Sequence, residues 1–143
     1  MEKIALFQKV ANLLFKDGRI SLKEHQSFHK YVTLENISAD GSLREFFRVS
    51  IGNNSICVGV VPHAVLPQEL AESHAAVAIG RHLWQKNIPV PGIIGHDPKS
   101  GLILYEDCGE IHLHSLLEKK RKSNKLDQDE IFRWYRPLVE HLV

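Results

Sequence analysis

Six consecutive residues, Ile56-Cys57-Val58-Gly59-Val60-Val61, are apolar at both odd and even positions. A strand of that kind has to be covered on both faces, so it belongs inside a sheet and constrains everything around it. The upstream sequence offers the neighbours. Val32 to Ser38 and Arg44 to Ile51 carry β-branched and aromatic residues in alternation and are separated by Ala39-Asp40-Gly41-Ser42, which predicts a hairpin. Gly52-Asn53-Asn54-Ser55 predicts a second tight turn leading into the apolar strand. Three antiparallel strands are therefore expected in succession.

Helical periodicity flanks these strands. Ile4, Phe7, Val10, Leu13 and Leu14 recur three to four apart between Lys3 and Phe15, ahead of the Asp17-Gly18 turn, and a shorter helix is expected from Leu22 to Tyr31. From Gln68 to about Lys86 a longer helical pattern carries Leu70, Val77, Ala78 and Leu83 on or near one face. It stops before Ile88-Pro89-Val90-Pro91, where each residue preceding a proline is pushed out of the α region. Gly92 to His96 and Leu102 to Tyr105 around Asp97-Pro98-Lys99-Ser100-Gly101 predict a second hairpin. A short helix is expected from Ile111 to about Arg121. After a polar break at Ser123-Asn124 comes a last helix carrying Ile131, Tyr135, Leu138 and Leu142, with Pro137 a candidate kink. The apolar stripe still runs at Val143 without a glycine or asparagine cap. The expectation is a helix cut mid-pattern, with a second half missing and an open face that favours self-association.

At 143 residues, 43% hydrophobic and 24% charged with a net charge of +1, the chain has the size of one domain and an ordinary globular composition. Near-neutral charge argues against a dedicated nucleic-acid binder. No apolar run approaches the roughly 18 to 20 residues of a membrane span, and the amino terminus lacks a secretory pattern, so no membrane partner and a cytoplasmic location are expected. The two cysteines, Cys57 and Cys108, form no CxxC or CxxH pair and read as free thiols. His25 and His29 stand at i and i+4, but without an HExxH pattern they read as surface residues; His112 and His114 read the same way. Lys119-Lys120-Arg121-Lys122 reads as a solvated helix end favoured by the dipole. No metal site is expected.

Three segments carry chemistry. In Asp40-Gly41-Ser42 a small turn joins two strands. Its N–H groups and the Ser42 hydroxyl could approach phosphate oxygens, or it could be a plain hairpin turn. Alternation sets Arg44 and Arg48 on one strand face, opposite Leu43, Phe47 and Val49. If that face lines a cleft, the Arg44 guanidinium suits phosphate; otherwise both are surface arginines. Tyr105-Glu106-Asp107-Cys108 is an acidic connector after the last strand.

With Asn87-Ile88-Pro89-Val90-Pro91 between them, Asp40 to Val49 and Gly101 to Gly109 make the chain resemble the amino-terminal lobe of the aminoglycoside phosphotransferase and choline kinase family. Within that family the resemblance is to bacterial cell-wall amino-sugar kinases, and it spans residues of about 32 to 118. It implies an α+β, protein-kinase-like lobe: a five-stranded antiparallel sheet with one packed helix, plus flanking N- and C-terminal helices. The corresponding division is a helical segment over 1–31, a nucleotide-binding lobe over 32–109 and the helical start of a further lobe over 110–143. The resemblance also implies ATP as the bound nucleotide. The Glu106 carbonyl and the Cys108 N–H would meet adenine, Tyr105 would border the back of the pocket, and Asp40, Gly41, Ser42 and Arg44 would lie near phosphate.

Two departures shape the expected function. The family pairs a third-strand lysine, which binds phosphate, with a helix glutamate. Here Ile56 to Val61 holds no lysine, while the helix offers Glu69 and, nearer the family position, Glu72. Nor does any His-Gly-Asp loop with its metal ligands occur in these residues, so Mg²⁺ and a small-molecule acceptor are expected only with an absent carboxy-terminal lobe. The expected function is the nucleotide-binding portion of an ATP-dependent sugar or aminoglycoside-like phosphotransferase, catalytically incomplete as it stands. The alternative is a non-catalytic partner-binding or regulatory module derived from that lobe.

Overall fold

A computed structural model describes residues 3–38, 43–123 and 127–140 of the chain. The elements run α1 (Lys3–Lys16), α2 (Leu22–Gln26), α3 (Phe28–Tyr31), β1 (Val32–Ile37), β2 (Glu45–Ile51), β3 (Asn54–Val61), α4 (Pro67–Gln85), β4 (Ile93–Asp97), β5 (Leu102–Tyr105), α5 (Leu113–Lys122) and α6 (Gln128–Glu140). The fold is α+β. It splits into two compact units, residues 1–107 and 108–143.

The first unit is built on one five-stranded sheet in the order β1-β2-β3-β5-β4, every pair antiparallel. The doubly apolar strand β3 lies at its centre, between β2 and β5, as its composition requires. β3 begins at Asn54, two residues before the apolar run, because Ile51 and Asn54 pair directly and the turn shrinks to Gly52-Asn53. Gly52 takes a φ of 58°, which a two-residue hairpin turn demands.

Register assigns the side chains to faces. Phe47 and Val49 of β2, Cys57 and Val61 of β3, and Leu102 and Leu104 of β5 share one face. They form a single buried cluster with Val10, Ala11 and Leu14 of α1 and Phe28 of α3. The helix expected over 22–31 is two short ones, broken at Ser27. A capping box at the start of α2, in which Ser21 Oγ accepts from the Glu24 N–H and the Glu24 carboxylate accepts from the Ser21 N–H, fixes where the first of them begins. The sheet thus carries more than the one packed helix expected for it. The segment 1–31, set apart in the sequence division, shares the core of the strands.

The opposite face carries α4. Alternation along β4 turns Gly95 toward Leu13 of α1, while His96 meets His74 of α4 edge to face with ring centroids 5.3 Å apart. Val77 of α4, Val60 and Ile103 are buried but stand outside the α1 cluster. Ala78, expected on the inner face of α4, is exposed; the inner line runs through Ser73, Val77 and Gly80. Small residues let the helix lie close, and a Cβ on Gly80 would fall 2.9 Å from Ile93 Cδ1. α4 ends in a Schellman motif. Asn87 takes a φ of 58°, its N–H donates to the Trp84 carbonyl at 3.0 Å, and the Ile88 N–H donates to the Leu83 carbonyl at 3.1 Å.

In the second unit Lys120 of α5 pairs with Glu130 of α6 and lies 5.2 Å from the Trp134 ring centroid. Two more of the basic run are engaged: Lys122 is 3.4 Å from Glu118 and Arg121 is 3.9 Å from it. The α6 helix continues through Pro137, and Phe132, Tyr135 and Val139 on it are exposed. No helix among the described residues is long and apolar enough to cross a membrane.

Candidate functional site

Of the candidate residues, Arg44 and Glu72 meet on the α4 side of the sheet. Arg44 stands one residue before β2, and its Nη2 donates to Glu72 Oε2 of α4 at 3.0 Å, an ion pair whose side chains are 39% and 50% exposed. The sequence therefore supplied two candidates, and the fold joins them across 28 positions. Leu43, set by alternation on the strand face of Phe47 and Val49, is 83% exposed because β2 starts only at Glu45.

Deeper along β2, Arg48 pairs with Asp107 through Nε at 2.7 Å and Nη2 at 3.4 Å, a two-pronged contact with both side chains largely buried. The Ser55 hydroxyl at the start of β3 donates to the same carboxylate. Arg48 is thus not a surface arginine: it ties the acidic connector to the middle of the sheet. Arg48, Ser55 and Asp107 were not among the candidate residues of the sequence. The available signal was a guanidinium set between Phe47 and Val49, since a charge inside an apolar strand calls for a partner. The identity of that partner, 59 positions away, has no local signature.

Tyr105 closes β5, across β3 from Arg48 by way of Val58. Burial raises the Tyr105 pKa above its ordinary value, and the nearby charge of Arg44 opposes that rise. The next residue, Glu106, is turned to the β4 side. Its N–H donates to the Gly92 carbonyl at 2.8 Å, and its carboxylate accepts from the Gly92 N–H at 3.2 Å. Cys108 is an exposed free thiol in the 108–143 unit. Asp40, Gly41 and Ser42 lie outside the described residues.

Two recesses border these groups. One, of about 450 Å³, lies beside the Arg44–Glu72 pair and is lined also by Leu43, Pro62, His63 and Leu66. The other, of about 500 Å³, lies beside Glu106 and is lined by Arg19, Arg81, Trp84 and Ile93 among others. Elsewhere on this unit, burial, aided by the charges of His74 and Arg81 and opposed by Asp97, lowers the His96 pKa, and His96 Nε2 is buried without a hydrogen-bond partner. Among the described residues no three His, Cys, Asp or Glu side chains converge as metal ligands do. Glu69, the other acid at the start of α4, accepts from the Ala64 N–H at 2.8 Å and so holds the loop after β3.

Comparison with family models, with curated proteins and with solved structures gives no match for this chain.

Proposed function

We propose that the chain is the nucleotide-binding amino-terminal portion of an ATP-dependent small-molecule phosphotransferase whose acceptor carries a sugar or aminoglycoside-like hydroxyl. The observation that carries this reading is the arrangement of the sheet. Two antiparallel strands, a buried third strand, a helix and a second hairpin build one five-stranded sheet. An acidic connector leaves its last strand and is tied back to β2 by Arg48 and Asp107. That is the element order the kinase-like resemblance calls for. It supports a protein-kinase-like lobe in which adenine meets the Glu106 carbonyl while the phosphates extend toward Arg44.

Phosphoryl transfer rests on positioning and on neutralising phosphate charge, so a lobe of this kind contributes nucleotide binding and orientation. The base, Mg²⁺ and acceptor contacts belong to residues outside this sequence in that reading. A second reading, a binding module without chemistry, is favoured by one observation: β3 presents Val58 and Val60 where the pattern sets a lysine. Titration of isotope-labelled protein with ATP separates the proposal from its failure. Saturable amide shifts at Arg44, Val58, Tyr105 and Glu106 are expected, with affinity in the millimolar range. Absence of any saturable shift at these residues would overturn the nucleotide-binding reading.

A further inference from the structure

We propose that the recess between α1 and the α2–α3 pair binds a small amphiphilic acid, a single carboxylate carried on an apolar tail of medium length. None of Arg44, Glu72, Tyr105 and Glu106 lines it, so the site is separate from the nucleotide reading and stands or falls without it.

The break in the 22–31 helix shapes this recess. Residues on both sides of the interruption at Ser27 line a hollow of about 440 Å³ against α1, a volume within the range of small-ligand sites. Its floor is apolar. Phe7 of α1 meets Phe28 of α3 edge to face with ring centroids 6.3 Å apart, and Ala11, with no side chain past Cβ, leaves room beside them. Ala11 and Phe28 belong to the buried cluster and Phe7 packs against it, so the core holds the floor in place.

The polar lining is of one kind. Lys3, Gln8, His25, Gln26 and His29 complete it, and no Asp or Glu is among the described lining residues. Each of these side chains can present an N–H donor and none presents a negative charge. His25 is fixed at the wall: its Nε2 lies 2.8 Å from Asn12 Oδ1, which also accepts from Gln8 Nε2 at 3.1 Å, and its ring centroid is 4.9 Å from that of Phe15. Lys3 and His29 are exposed, with no ion-pair partner among the described residues. The rim therefore complements an anion. It holds one full cation, Lys3, and no arginine fork, which suits a single carboxylate better than a phosphate dianion. A hollow of this size takes a short tail, whereas a partner helix needs anchors spread over roughly two turns of an open groove.

The test titrates the isotope-labelled full chain with hexanoate, octanoate and decanoate, and with the neutral octan-1-ol. Octanoate is expected to give saturable amide shifts at Phe7, Ala11, Phe28 and His29. Affinity should rise about fourfold per added methylene until the floor is filled, as burial of the tail requires. Lys3→Glu combined with His29→Glu is expected to weaken octanoate about tenfold while changing octan-1-ol by less than about twofold. Both positions are exposed, so the melting temperature of the double variant should stay within about 5 °C of wild type. Should it unfold, Lys3→Gln alone carries the same comparison, with octanoate weakened about threefold. Absence of saturable shifts at these residues with octanoate in the millimolar range would overturn the site, as would an equal loss of octanoate and octan-1-ol in the variants. Shifts at the same residues on raising the protein concentration without ligand would assign the hollow to a second copy of the chain and overturn it as well.

Discussion

Gly59 and Phe47 face each other across β2 and β3, and one needs the other to be what it is. A Cβ on Gly59 would lie 2.2 Å from the Phe47 ring, and Phe47 is only 2% exposed, so the ring cannot swing away into solvent. Gly59→Ala is therefore expected to lower stability by about 2 kcal/mol or more through overpacking, read by chemical denaturation. Phe47→Leu added to it should recover part of the loss, and an unchanged midpoint in Gly59→Ala would contradict the packing described. Beside this pair, burial pushes the Cys57 thiol up to about 12, which leaves it a small apolar filler, not a nucleophile. Much of this was legible: the six apolar residues of 56–61 announce a central strand. What they do not announce is which glycine neighbour carries a ring above it, because that follows from register across strands.

Between elements, the contact most open to experiment is the one joining α1 to β4. Lys9 Nζ lies 2.6 Å from Asp97 Oδ2, and the Ser100 hydroxyl donates to the same oxygen at 2.6 Å. Burial pushes the Asp97 pKa up, but Lys9, Ser100 and the Lys99 N–H outweigh it and hold the carboxyl below its ordinary value. The folded pKa is then lower than that of the unfolded chain, about 3.9. Stability from this group is complete above that value and is lost as pH falls through the folded pKa. Thermal melts between pH 6 and 2 should show an acid decline that is shallower in Asp97→Asn; identical slopes would remove Asp97 from the account. Element types and most boundaries follow from hydrophobic period and from proline and glycine, as β5 and α1 illustrate. The exceptions have local causes. The 22–31 helix breaks at Ser27, and the inner face of α4 is made of Ser73 and Gly80, which a search for large apolar residues passes over.

For the molecule as a whole, the segment over 3–31 contributes to the sheet's core and is not an appendage to it. Val10 and Leu14 are fully buried against the same cluster as Val49, Leu102 and Leu104. A chain limited to residues 32–107 should lose cooperative unfolding, because removing several buried side chains worth about 1.5–3 kcal/mol each exceeds the stability of a small domain. A sharp melting transition from that fragment would show the strands to be self-sufficient. The site was less legible than the fold for a reason of distance. Arg44 and Glu72, like Arg48 and Asp107, are brought together by strand register and helix placement, and their spacings of 28 and 59 residues fit no local period.

The fastening of Asp107 to Arg48 and Ser55 has a mechanical corollary. Tension entering the protein at residue 108 meets those two side chains before it can strip β5 from its neighbours. The load passes into β2 and β3, so a tug on the exit of the sheet is shared by adjacent strands at its middle.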